Sequence, residues 1–157
     1  MDQASRRILA SLASEQRVAA LGTIYQGAPL VSLVPFSASP DLSAFDVHVS
    51  RLAQHTQGLL GAGRVGLMLF EPDRPTRNPQ TLPRLSLQGL PMVLDPTDPG
   101  YHEARSRYLA KFPAAEISFQ LPDFLLVRIV PESARLVTGF GKIFDLDAQA
   151  LTSAGPA

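Results

Sequence analysis

Ile8, Leu9, Leu12 and Ala13 recur at helical spacing and predict an amphipathic helix over residues 3–15. The pattern turns strand-like over residues 18–25, passes a turn at Gln26-Gly27-Ala28, and resumes as a second hairpin arm over 30–36. Pro35 cannot donate to a ladder, so it belongs at an edge or a bulge. Ser39 to Ser43 is a turn. Phe45, Val47 and Val49 then alternate with Asp46, His48 and Ser50, the pattern of a half-buried strand. A short helix over 51–60 follows, stopped by Gly61 and Gly63. Val65, Leu67 and Leu69 mark the next strand, and 71–82 is a proline-rich loop. Leu85, Leu87 and Gly89 alternate with Arg84, Ser86 and Gln88. Asp98-Pro99 reads as an N-cap and first helical residue, opening a helix that ends before Pro113. Residues 124–130 form an apolar strand interrupted only by Arg128. Residues 134–138 begin a last strand that runs into Gly139-Phe140-Gly141.

Hairpins and short turns link most of these strands, so the sheet is expected to be largely antiparallel. Six or seven strands with helices at the gaps and ends predict a mainly β chain, a small closed or split barrel with flanking helices. A doubly wound fold would need a helix between most strands and a glycine-rich first turn, and neither is present. The 157 residues suit one domain. Its core is expected over about 15–145, with the helix of 1–15 before it and a flexible tail over 148–157.

Hydrophobic residues make up 45% of the chain, enough for a core, and charged residues only 18%, which a hidden subunit interface would explain. The formal net charge is zero, so no field of one sign draws in nucleic acid or an anionic membrane. There is no cysteine, which excludes disulfides, thiolate-held clusters and a thiol nucleophile and suits a cytoplasmic protein. No stretch approaches the roughly 20 apolar residues of a membrane span. His48, His55 and His102 lack metal-ligand spacing, so no metal site is expected. No serine lies in a nucleophile elbow.

The chemistry concentrates at Ser50-Arg51-Leu52-Ala53-Gln54-His55-Thr56-Gln57. A strand that empties into the first turn of a helix offers unpaired N–H groups and a partial positive charge, a natural anion site. Ser50 can equally be an N-cap, His55 a surface or capping residue, and Arg84 a solvated strand residue.

Several segments carry a family resemblance. They are Leu21-Gly22-Thr23, residues 29–36, residues 50–56, Gly63-Arg64-Val65, residues 83–89, residues 108–113 and Gly139-Phe140-Gly141-Lys142. In this order and spacing they resemble the FMN-binding split barrels related to pyridoxamine 5′-phosphate oxidase. The branch they are most like is that of the bacterial haem-utilisation and haem-degradation proteins. The resemblance implies a homodimer with FMN in a groove between subunits. The flavin ring would lie along the backbone of Ser32, Leu33 and Val34. Its phosphate would lie near Ser32, Ser50, His55, Thr56 and Arg84, with Gln57 alongside. The family continues His-Thr-Arg-Asn-Leu where this chain has Gln57 and Gly58. One lost charged contact, at roughly 1.5–3 kcal/mol, weakens binding by about one to two decades.

The resemblance therefore implies a dimeric FMN-dependent oxidoreductase with an unidentified small-molecule substrate. A haem-binding protein on the same fold is the alternative. The haem-linked relatives carry further carboxyl-terminal sequence that helps hold haem, whereas here no histidine lies beyond His102. A third reading, favoured by Gln57 and Gly58, is a flavin-free, non-enzymatic dimeric binding module.

Overall fold

Helix α1 spans Gln3–Glu15 and buries Leu9, Leu12 and Ala13, the stripe its periodicity predicts. Asp2 caps it by accepting from the Ser5 N–H at 2.8 Å. The computed structural model describes residues 1–61 and 63–155; Ala62, inside the predicted glycine stop, and the last two residues of the expected tail lie outside them. Strands β1 (Val18–Tyr25) and β2 (Ala28–Pro35) form a hairpin. Its turn residues Gln26 and Gly27 have φ of 50° and 77°, the two-residue geometry whose twist matches paired strands. There follow β3 (Ser37–Ala38), β4 (Phe45–Ser50), helix α2 (Gln54–Gly61), β5 (Val65–Phe70) and β6 (Arg84–Val93). Helix α3 (Pro99–Lys111), β7 (Phe124–Gly139), β8 (Lys142–Asp147) and helix α4 (Ala148–Ala154) complete the order.

All pairings are antiparallel. Six strands in the order β2-β1-β5-β6-β7-β4 make the closed barrel; β3 extends from β4, and β8 from β7. The interior is filled by Leu21, Phe36, Phe45, Leu67, Leu85 and Ile129, with Leu9 and Leu12 of α1 and Leu59 of α2 joining the same cluster. Each such side chain contributes about 1.5–3 kcal/mol through burial.

The structure corrects four expectations. Residues 124–139, read as two strands around Pro131, are one strand of 16 residues. The ladder absorbs the proline by shifting register between Gln88 and Gly89, with Gly89 opposite Pro131. Only glycine fits there, since an added Cβ would lie 2.4 Å from the Val130 carbonyl oxygen. Strand β8 is not in the sequence reading, and it makes the strands eight among the described residues. Residues 148–154 form α4, capped by Asp147 and burying Leu151 and Ala154, where a flexible tail was expected. Finally, α2 starts at Gln54, because Ser50 and the 51–53 turn complete a separate bend first.

Strand β4 was expected to be half-buried, yet Asp46 and His48 are buried as well as Phe45, Val47 and Val49. The reason lies above its outer face. Asp46 is 0% exposed and pairs with Arg107 of α3 and with Arg128 of β7, the latter at 2.9 Å. Those bonds also explain the one charged residue in the apolar run of β7. Among the described residues no helix is long and apolar enough to cross a membrane.

Candidate functional site

Ser50 closes β4. Its hydroxyl donates to Asp123 Oδ2 at 2.7 Å and accepts from the Leu52 N–H at 3.2 Å. It therefore holds the 51–53 turn and does not cap α2, whose first bonds run to the Ala53 carbonyl. His55, Thr56 and Gln57 occupy the beginning of α2. Gln57 is exposed. His55 is half-buried, and burial holds its imidazole below the ordinary value. Thr56 is fully buried, with an Oγ1 that has no hydrogen-bond partner.

Gly58 faces β1. A Cβ there would stand 2.5 Å from Thr23 Oγ1 and 2.8 Å from Thr23 Cβ. The position is closed to any side chain by packing, so its glycine is a requirement of the α2–β1 contact.

On β2, Ser32 and Val34 turn inward beside Leu21 and Ala19, their cross-strand partners, while Leu33 points out at 67% exposure. Arg84 opens β6, where it pairs with Phe70 and Val137, and its Nη1 donates to the carbonyls of Gln80 and Leu82. Ser50 pairs with Phe124 at the other end of β7. Thirteen residues of β7 separate those two registers, on the order of 40 Å of strand path at ~3.3 Å per residue. One protomer thus gathers Ser50, His55, Thr56 and Gln57 at α2 and leaves Arg84 apart from them.

A broad groove lies on the outer face of the sheet. One cross-strand row runs Val31, Gly22, Gly66, Gln88, Ser133, Asp147. The next runs Leu33, Ala20, Met68, Ser86, Arg135, Asp145. The groove along these rows measures about 770 Å³. Its floor is bare backbone at Gly22 and Gly66, where an added Cβ would meet nothing closer than 3.7 and 3.9 Å. Its walls are apolar at Val31 and Met68 and polar towards β7 and β8, where Arg135 binds Asp145 through two bonds of 2.7 and 3.0 Å. Of these residues only Leu33 is among the cofactor contacts that the resemblance implies, while Gly22, Val31, Ser86 and Gln88 fall within the segments that carry it. The available signal was Gly22 and Gly66 inside strand patterns, since an interior strand glycine marks a close approach.

Beneath α3 and the 113–120 segment lies a second cluster. The His48 ring stacks on Phe119 at 3.7 Å and 6°, with Tyr108 and Phe124 at 5.8 and 5.0 Å. Ser118 Oγ spends its proton on the Ala115 carbonyl at 2.8 Å, so His48 Nδ1, 3.3 Å away, is assigned as the donor to Ser118. Burial pushes His48 down to about 4 and the Tyr108 hydroxyl up to about 12.

No family model matches the chain. It is 26% identical over 141 residues to a Vibrio cholerae protein named heme oxygenase HutZ, covering 87% of this chain and 78% of that one. Among solved structures, a heme binding protein from Mycobacterium smegmatis matches with a TM-score of 0.84 at 21% identity over 98% of this chain, which spans 62% of that protein's length. A putative pyridoxamine 5′-phosphate oxidase from Listeria innocua matches with a TM-score of 0.62 at 17% identity, over 87% of this chain and all of that one. At such identities the structural likeness establishes the fold.

Proposed function

We propose that the chain, which has the fold of the pyridoxamine 5′-phosphate oxidase-like split barrels and is similar to a protein named heme oxygenase HutZ, is a homodimeric binder of a planar cofactor and that haem is the ligand it handles. The observation that carries this reading is the bond between Ser50 and Asp123. It sets a carboxylate beside the hydroxyl that was to receive a phosphate, and two anions side by side repel. A flavin phosphate therefore fits this end of the barrel poorly. A porphyrin asks instead for a flat apolar seat and a cation for its propionates. The glycine-floored face supplies the first. Arg84, held only by carbonyls among the described residues, is free for the second. Of the histidines, His48 is locked in its aromatic cluster, while His55 makes no hydrogen bond among the described residues and sits on α2, which rests on β1 and β2. It is the histidine this reading assigns to the iron.

A homodimer follows from the same face. Val31 and Leu33 are 71% and 67% exposed on adjoining rows, and a second copy seated on this face would take both out of water. A second copy also provides the means of bringing one protomer's Arg84 towards a ligand seated on the other. Bound haem supplies redox-active iron and bound FMN supplies electron transfer; in either case the protein contributes the seat, the orientation and the exclusion of water.

FMN-dependent oxidoreduction of a small molecule is the second reading. It is favoured by His55 and Thr56 at the start of α2, where the Thr56 hydroxyl has no partner among the described residues. The test is an absorption titration of the purified protein with haemin and, separately, with FMN, followed by gel filtration with light scattering. The haem reading expects a Soret band that stays with a dimer, weakened several-fold in both Arg84→Ala and His55→Ala. Retained flavin bands without haem binding establish the second reading. A dimer that keeps neither ligand returns the chain to a cofactor-free binding module.

A further inference from the structure

The groove on the outer face does not end at Gly22 and Gly66. A second hollow of about 380 Å³ opens beyond them, and it shares Gly22, Val31, Gly66 and Gln88 with the first. The two differ in charge. The groove's far wall carries Arg135, Asp145 and Asp147, and Arg135 is already bonded to Asp145, so that end is left with a net negative charge. Among the described residues lining the second hollow, Arg64 is the one charged side chain. A flat ligand that spans both hollows and carries an anionic edge is turned by this field so that the edge meets Arg64.

Arg64 immediately precedes β5, and its side chain is 69% exposed. Its Nε donates to Glu132 Oε2 at 2.6 Å and its Nη2 to Oε1 at 3.4 Å, while Nη1 has no hydrogen-bond partner among the described residues. Glu132 owes its place to the bulge in β7. Pro131 pairs with Gly89 and Ser133 with Gln88, so Glu132 is the extra residue between them, and a bulge re-aims a side chain. Glu132 lines neither hollow, so its carboxylate holds the guanidinium without filling the seat. Water and salt compete with an exposed ion pair of this kind, which makes it weak, and the planar fork of an arginine fits any carboxylate. Arg84 cannot serve the same edge of a ligand from the same protomer. It opposes Phe70 at the other end of β5, about 20 Å of strand away at ~3.3 Å per residue.

We propose that Arg64 binds a carboxylate of the planar ligand and that Glu132 is its internal competitor, displaced from the guanidinium when the ligand is seated. The assignment rests on haem as the ligand of this face, whose propionates supply the carboxylate. Glu132 then sets how tightly the face holds an acidic ligand, and a ligand without a carboxylate leaves the Arg64–Glu132 pair closed.

Haemin titration of the intact chain, read at the Soret band, tests this with Arg64→Gln, Arg64→Lys and Glu132→Gln. Glu132→Gln should bind haemin about two- to fivefold more tightly, a gain that a damaged fold cannot produce. Arg64→Gln should bind it at least about fivefold more weakly. Arg64→Lys should fall between wild type and Arg64→Gln, because a lysine keeps the charge and loses the fork. Haemin dimethyl ester, titrated in the same co-solvent, has no carboxylate and should bind all four proteins alike. Equal haemin affinity in all four, or an Arg64→Gln loss that the ester shares, overturns the assignment and leaves haem as the ligand. A wild-type chain that takes up no haemin ends the haem reading and the assignment with it.

Discussion

His48 gives the sharpest energetic prediction, because its ring sits in an aromatic cluster where burial disfavours a second proton. A second proton would go on Nε2, inside the ring cluster of Phe119, Tyr108 and Phe124. The folded chain resists it, and the folded value is about 4 against an ordinary 6.5. The unfolded chain therefore binds the proton first. Stability is fully held above pH 6.5 and drains away as the pH falls towards 4. At about 1.4 kcal/mol per pH unit the loss reaches roughly 3 kcal/mol. Acid titration of the carboxylates falls on the same range, so the measurement must be a difference. His48→Phe keeps a flat ring against Phe119 and cannot titrate. It gives up one hydrogen bond, worth about 1 kcal/mol at every pH. Urea unfolding of both proteins from pH 8 to pH 4 isolates the histidine. The stability gap should be constant above pH 7 and then move by about 3 kcal/mol in favour of the variant. A gap that stays constant down to pH 4 would refute the buried neutral imidazole.

Three further outcomes follow from packing and charge. Asp46→Asn should cost about 3–5 kcal/mol in urea unfolding, since it strands Arg107 and Arg128 around a neutral group; a loss under 1 kcal/mol would show the triad to be solvated. Gly58→Ala should lower stability by about 1–2 kcal/mol, because the crowding at Thr23 exceeds the ~1 kcal/mol helix-propensity gain; a raised melting temperature would contradict the close α2–β1 contact. Gly66→Leu, whose Cβ would make only an ordinary contact 3.9 Å from the Leu87 carbonyl oxygen, should leave the melting temperature within a few degrees while weakening dimerisation and haem uptake. An unchanged dimer by light scattering would move the interface off this face.

Where the sequence was legible, the forces were local. α1 and β1 fall where periodicity puts them, because their apolar residues face one core each and their ends are set by Asp2 and by Gln26-Gly27. It failed where a distant partner decided the outcome. The polar residues of β4 look solvent-facing until Arg107, 61 positions away, and Ser118, 70 away, are laid over them. Pro131 looks like a strand end, yet β7 is paired on both of its halves and a local register shift at Gly89 costs less than breaking those ladders. Lys142 to Asp147 alternates, with Phe144 and Leu146 packed on the core. The strand was passed over because the glycines at 139 and 141 read as its terminus when they are the turn, both with positive φ.

The candidate site shows the same division more sharply. Motif order put Ser50 to Gln57 together, and a contiguous segment must be clustered. Arg84 joined them only through a resemblance, and the register of β7 sets it at the far end of the barrel. Either Arg84 has no part in the site or the site is built from two protomers, and the two cases separate cleanly. In a mixture of His55→Ala and Arg84→Ala protomers, a two-protomer site regenerates one intact site in each heterodimer, so about half of the dimers recover one wild-type haem site each. A site within one protomer regenerates none. Haem retention by the mixture no greater than the average of the two variants alone would therefore remove Arg84 from the ligand's surroundings.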